Sequence, residues 1–399
     1  MKKIKLILFF ILYFCFSISV NIVHPITPSY VDSLMLPEYY FGFFFSLMSL
    51  GQVIGALFFG FLSDKIGRKW PIVIGIVGYC MAQACFGYIN TMPWLILVFR
   101  VFSGIFVAAP NALFVSMSLD YSDNETKLKY LSILSSCNIL GTAVGYEIGG
   151  SLYTYLNFTF QNVFLFQIIF GCCIALIFAL FMKDKALNLN NKEKEENKSK
   201  FSFKNFKNLN GLVYLFLFGL LVLTIGEILI NKYLDPYLTH IGFEPAILGH
   251  YVLITGIVGA IANLLIIPLI KKAKNKILAI LLTSFIALSA ILTFITFLVK
   301  TNILYLLFTT HMIYSILRAL IKPLEQNEIS TYSNGTNNGQ LMGARQTILS
   351  IGNVLGPLLG SAIYVAGSPI IFEIAAFILL GSLLIYIIYF LIKYKRVKE

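Results

Sequence analysis

Apolar residues in this chain come in long runs separated by short polar stretches. Twelve runs stand out, near residues 5–28, 40–62, 71–90, 93–118, 130–155, 163–182, 211–234, 246–270, 276–299, 302–323, 340–366 and 369–392. A helix needs roughly 20 apolar residues to cross the hydrocarbon of a bilayer, so each run predicts one membrane-spanning helix. Most polar stretches are too short to hold a separate soluble domain. The exception, 183–210, is rich in Asn and Lys and lacks apolar periodicity, which predicts a cytoplasmic linker between residues 1–182 and 211–399. The pattern predicts an all-α membrane protein of twelve transmembrane helices in two six-helix bundles.

Composition agrees with lipid as the solvent. Hydrophobic residues make up 58% of the 399 and charged residues only 12%, against about 25% charge in ordinary soluble domains. Mean hydropathy is +0.84. The net charge of +12 would suit nucleic acid if it formed one patch, but it is spread by topology. Basic residues follow the even-numbered runs (Lys65, Arg68 and Lys69; Lys127 and Lys129; Lys183 onward; Lys271 to Lys276; Lys322; Lys393 to Lys398) and flank the N-terminus (Lys2, Lys3, Lys5). The alternate loops hold little beyond Lys232 and Lys300. This asymmetry predicts cytoplasmic termini and an even number of spans, and it argues against nucleic-acid binding. The first run continues past Ser19 toward Pro25, which predicts a retained helix rather than a cleaved leader. All six cysteines lie in apolar runs of the first half with no ligand-like histidine spacing, so neither a metal nor another cofactor is expected.

The halves repeat each other. Gly141, Gly145, Gly149 and Gly150 in the fifth run align with Gly352, Gly356, Pro357 and Gly360 in the eleventh, and Tyr153 with Tyr364. Small residues four apart make a flat stripe on which a neighbouring backbone packs closely, so a pseudo-symmetric pair of bundles is expected. Between the second and third runs lies a charged, glycine-bracketed turn, Gly60-Phe61-Leu62-Ser63-Asp64-Lys65-Ile66-Gly67-Arg68-Lys69. Its weaker echo near Gly259 to Lys276 has Pro268 in place of the acid.

That turn resembles the signature loop of the major facilitator superfamily, Gly-x-Leu-x-Asp-x-x-Gly-Arg-Lys, with every position filled. Arg100 with Gly104 resembles the family's Arg-x-x-x-Gly motif. The fifth-run stripe resembles its Gly-x-x-x-Gly-Pro-x-x-Gly-Gly antiporter motif, with Tyr146 where the motif has proline. The resemblance spans the whole chain and is closest to the drug–proton antiporter branch. It implies the major facilitator fold, with the seventh helix lining the central cavity. It also implies that Asp64 and Arg68 join a charge cluster holding the cytoplasmic side closed, with Asp120 as partner of Arg68 and Arg345 as partner of Asp64. Many drug–proton antiporters carry an acid in the first helix; run 5–28 has none.

Charges inside spans are costly and so are candidates for function. Glu227, in the outer half of the seventh run, is the first candidate for a proton-loading acid, the alternatives being a static ion pair or a water-exposed vestibule residue. Glu147 lies within the glycine stripe, where it either handles protons or cargo or pairs with Arg100 to fix packing. His24 beside Pro25, with Asn21, forms a polar, kink-prone patch, and His311 sits mid-run in the tenth; each is either a proton carrier or a hydrogen-bonded packing residue. Gln52, Asn111, Asn138, Asn263 and Asn353 either line a cavity or bond between helices.

No Gly-x-x-x-x-Gly-Lys-Ser/Thr loop, His-x-x-x-His pair or Gly-x-Ser-x-Gly elbow occurs, which argues against ATP drive and against an enzyme. The expected function is a secondary transporter, exporting a small amphipathic, drug-like molecule in exchange for protons by alternating access. The alternative is a metabolite, sugar or peptide carrier of the same fold without obligatory proton coupling. The expected partners are a small-molecule substrate, protons and membrane lipid. The chain is expected to be a monomer in a bacterial inner membrane.

Overall fold

The computed structural model describes residues 3–88, 92–122, 126–183, 210–272, 275–299, 302–332 and 338–396. Most of the expected linker and the side chains of Asn263 and Pro268 lie outside the described residues. Twelve long helical segments run through the described residues: α1 (Ile4–Ser33), α2 (Tyr40–Ile66), α3 (Lys69–Tyr88), α4 (Pro93–Tyr121), α5 (Lys127–Thr154), α6 (Phe160–Phe181), α7 (Gly211–His240), α8 (Pro245–Lys272), α9 (Asn275–Leu298), α10 (Ile303–Ser330), α11 (Asn338–Ile363) and α12 (Ile370–Arg396). Eleven are long and apolar enough to cross a membrane. The twelfth, α5, is long enough at 28 residues, but its glycines, serines and Glu147 dilute its apolar character. Large apolar side chains point outward along the helices, among them Phe61, Ile169, Leu180, Ile280 and Leu391. A water-soluble protein does not expose such extensive apolar surface, whereas lipid accepts it.

Two compact units form. One comprises residues 1–187 and 235–260; the other comprises 188–234 and 261–399. The end of α7 and the first half of α8 therefore belong with the first six helices. Within the first unit α4 packs on α2 and α3, α1 on α5, and α3 on α6. In the second, α9 packs on α10 and α12.

The glycine stripes do what their spacing predicts. On α5, a Cβ at Gly141 would meet Ser17 at 2.5 Å and one at Gly145 the Ile18 carbonyl at 2.6 Å, while one at Gly149 would overlap the Ile22 carbonyl. The α5 backbone thus lies directly on α1. In the second unit, Gly352 and Gly356 of α11 face Thr224 and Ile228 of α7 at 2.7 and 2.8 Å, and Gly360 lies under the Tyr233 ring. Tyr233 also donates to the Pro357 carbonyl at 2.8 Å. Helix five on one and helix eleven on seven are the same contact made twice.

Two boundaries differ from expectation. The α7 helix continues through Pro236 to His240, which places Glu227 near its middle rather than in its outer half. Membrane helices tolerate such a proline because neighbours satisfy the freed backbone groups. The first helix bends where Asn21, His24 and Pro25 predicted a kink: helix Lys3–Asn21 gives way to a 3-10 turn, His24–Ile26, and resumes over Thr27–Ser33. This extension brings Asp32 into α1, so the first helix does carry an acid.

The α2–α3 turn is only Gly67 and Arg68. Gly67 has φ 88° and ψ 173°, a region essentially reserved for glycine. Its N–H closes the helix on the Ser63 carbonyl at 3.0 Å. Gly67→Ala is expected to destabilise the protein by about 1–3 kcal/mol, read as a lowered thermal midpoint in detergent; an unchanged midpoint would refute the strain.

Candidate functional site

Among the described residues, a set of charges in the second unit is organised by α10. Arg318, Lys322, Glu325 and Glu328 follow one another at spacings that keep them on one helix face. Glu227 of α7 accepts from Arg318 Nε at 3.2 Å, and Arg318 Nη1 donates to Asn231 Oδ1 at 3.1 Å. Asn231 in turn donates to the Tyr314 hydroxyl at 3.3 Å and to the Glu227 carbonyl. The Glu227 side chain is 11% exposed against 32% for Arg318. The acid is therefore the sheltered member of the pair, and its cation the more exposed one.

Farther along the same face, buried Glu325 pairs with half-buried Arg345 of α11 at 3.5 Å. Beyond it, Glu328 pairs with Lys393 of α12 at 2.5 Å and accepts from the Tyr389 hydroxyl. Tyr389 shares a 2.8 Å bond with Tyr332. Three buried carboxylates thus each face one cation. Pairing offsets part of what desolvation costs each charge, and removing one partner leaves the other uncompensated. Arg345, expected beside Asp64, is held by Glu325. The significance of Lys322, Glu325 and Glu328 was legible in their helical spacing, but Lys322 reads from the sequence as a topology signal alone.

In the first unit Arg100 is buried, with its guanidinium carbon 3.8 Å from the Phe86 ring centre and 5.7 Å from that of Phe44. Its Nε has no hydrogen-bond partner among the described residues. The expected pairing with Glu147 does not form, because Arg100 on α4 faces α2 and α3 while Glu147 on α5 faces α8. Glu147 instead meets His250 Nδ1 at 2.8 Å. Nearby, Tyr79 accepts from Gln83 at 2.8 Å and from Gln167 at 3.3 Å, and Gln167 also donates to the Ser19 carbonyl at 2.7 Å.

The remaining candidates divide between packing and exposure. Asn21 donates to the Ser17 carbonyl at 2.8 Å and to Thr142 at 3.2 Å, bridging α1 to α5. His24 stacks on the Tyr146 ring at 5.6 Å. His311 is buried against Phe297 and Tyr314 at the end of a π turn, Leu307–His311. Gln52 is half-buried where the α2 backbone meets Gly104. Asn111, Asn138 and Asn353 are exposed.

At the signature turn, Arg68 Nε lies 2.8 Å from Asp120 Oδ2, with about a third of each side chain exposed. Asp64 is exposed, Gly60 has open space beside it, and Lys69 lies over the Trp70 ring at 5.2 Å. The expected partner of Arg68 is in place.

Comparison with known proteins gives concordant results. Residues 9–324 match the model for the Major Facilitator Superfamily. The chain is 24% identical over 375 residues to multidrug resistance protein 1 of Bacillus subtilis (strain 168), covering 91% of this chain and 90% of that one. It is 24% identical over 369 residues to the quinolone resistance protein NorA of Staphylococcus aureus (strain COL), with the same shares covered. Among solved structures, a bacterial homologue of the human lysosomal transporter Spinster, in an inward-facing and occupied conformation, superposes with a TM-score of 0.77 at 14% identity. That match covers 97% of this chain and 96% of the other and establishes the fold.

Removing one member of a buried pair leaves the other charge uncompensated, at a cost of about 3–5 kcal/mol. Arg345→Met is therefore expected to lower the thermal midpoint steeply. Adding Glu325→Gln should restore most of it, because the orphaned charge is gone. A double variant no more stable than the single would show that lost packing, not charge, is responsible.

Proposed function

The chain belongs to the Major Facilitator Superfamily, and from that premise we propose that it exports a small amphipathic molecule across a bacterial cell membrane in exchange for protons. The observation that carries the coupling is the Glu227–Arg318 pair: a sheltered carboxylate near the middle of α7, held by a more exposed cation from α10. A proton arriving at Glu227 would discharge the pair and release Arg318; its departure would remake it. The two protonation states thus favour different helix arrangements, which is what exchange by alternating access requires.

Orientation follows from the basic residues. With both termini on the cytoplasmic side, the α2–α3 turn and the Arg68–Asp120 pair lie at the cytoplasmic face, and the pair acts as a clasp there. The abundance of aromatic residues, 36 Phe and 22 Tyr, suits a flat or amphipathic cargo. The two relatives named above are resistance proteins, which supports export of a drug-like compound.

Purified protein in proteoliposomes should release protons when cationic or neutral amphiphiles are added, and Glu227→Gln should abolish that release while leaving binding measurable. Cargo binding without proton release in either protein would replace antiport with uniport of a metabolite-like substrate. For the clasp, a partly exposed pair contributes up to about 1 kcal/mol. Asp120→Asn should therefore shift the equilibrium toward cytoplasmic opening by up to about fivefold, seen as faster labelling of a cysteine on that side. An unchanged labelling rate would reduce Arg68 to a topology signal.

A further inference from the structure

Residues 235–260 are fastened to α1 and α5 by a set of polar contacts at one end of the first unit. Asp32, in the last turn of α1, lies 3.2 Å from His240 Nε2. Tyr146 of α5 donates to Asp235 Oδ2 at 3.1 Å while its ring stacks on His24. Glu147 meets His250 Nδ1 at 2.8 Å, and His250 Nε2 meets the Tyr155 hydroxyl at 3.1 Å. Ser151 donates to the other Glu147 oxygen at 3.1 Å, fixing the carboxylate. Two of the chain's four histidines are thus each set against a carboxylate at the same end. Facing His250 are Glu147 and Tyr155 from α5; facing His240 are Asp32 from α1 and the Phe41 ring from α2.

We propose that His240 and His250 are proton-binding sites that hold this end shut when charged and loosen it when neutral, so that the opening of the external side responds to external pH. The sidedness rests on the orientation proposed above; the switch itself does not. Histidine is the side chain whose ordinary titration lies between pH 5 and 8. Charged His250 donates through both ring nitrogens, one bond going to a carboxylate, and charge-assisted bonds are roughly twice as strong as neutral ones. Neutral His250 has one N–H to donate and leaves the Glu147 charge unbalanced. The side chains are 41% exposed for His250, 24% for Glu147, 15% for His240 and 36% for Asp32. Water and protons therefore reach the pairs, yet their attraction is not fully screened.

What lies beneath the pairs makes them decisive. A Cβ at Gly150 would meet the Pro245 carbonyl at 2.6 Å, one at Gly249 the Tyr146 carbonyl at 2.9 Å, and one at Gly256 the Ala143 methyl at 2.6 Å. The α5 and α8 backbones therefore approach closely here, and the polar pairs lie across that contact. The sign follows from the geometry: a charged ring is attracted to the carboxylate it faces and a neutral ring is not, so acid outside fastens this end and alkali frees it.

The test uses full-length protein in lipid nanodiscs, with the native cysteines replaced and spin labels at Met35→Cys and Glu244→Cys, both exposed positions. Distances are measured by double electron–electron resonance between about pH 5.5 and pH 8.5, bracketing histidine titration. The expected result is a several-fold rise in the long-distance population on going to alkaline pH. The His240→Gln, His250→Gln double variant should show the alkaline distribution at every pH, and each single variant part of the response. Glu147→Gln, which keeps a hydrogen bond but not the counter-charge, should also blunt it. A wild-type distribution indifferent to pH would overturn the proposal, as would a full pH response in the double variant or, should that not fold, in both single variants. No cargo is needed, so the outcome is independent of whether the protein is an antiporter.

Discussion

A charge carried into hydrocarbon has to bring its compensation with it, and much of this protein's interior is arranged by that requirement. In the second unit the compensation is ionic. Glu227 has Arg318, Glu325 has Arg345, and Glu328 has Lys393, each pair joining α10 to a different helix or, for the first, reaching back to α7. The charged face of α10 thereby ties α7, α11 and α12 into one unit. In the first unit the compensation at Arg100 is aromatic, through the faces of Phe86 and Phe44. The units share an architecture and differ in how they hold charge.

This difference assigns them different parts of the work. Among the described residues, the second unit holds three carboxylate–cation pairs on one helix face, arranged as the proposed proton coupling requires. The first unit is built instead on close backbone packing, with α5 lying on α1 through Gly141, Gly145 and Gly149, and on tyrosine and glutamine bonds that a proton near neutrality does not break. It offers a firm body against which the segment 235–260 docks through its two histidine–carboxylate pairs. The proposed charge coupling, clasp and latch thus occupy separate places along the helices.

Much of this was legible in the residues. Helix number, the stripes on α5 and α11, and the kink at His24 and Pro25 each follow from a local pattern: run length, four-residue spacing, or a proline after a polar residue, while the Arg68–Asp120 pair was expected only through the family resemblance. The charged face of α10 was also open to reading, since Arg318, Lys322, Glu325 and Glu328 recur at helical spacing, yet Lys322 blends with the basic residues that mark topology.

Partnerships between distant helices were not legible. Glu147 looked as suited to Arg100 as to any cation, and only packing shows that it points across the seam to His250, 103 residues away, while Arg100 turns to Phe86. Asp32 and His240, 208 residues apart, give no sign of each other until α1 and α7 both outrun their apolar stretches. The sequence alone determined that the chain lives in lipid, how many times it crosses, and which helices need glycine to touch, because hydropathy and helical period are local properties. Tertiary structure alone decided which charge compensates which, because that depends on the rotation of each helix about its own axis, and packing sets that rotation.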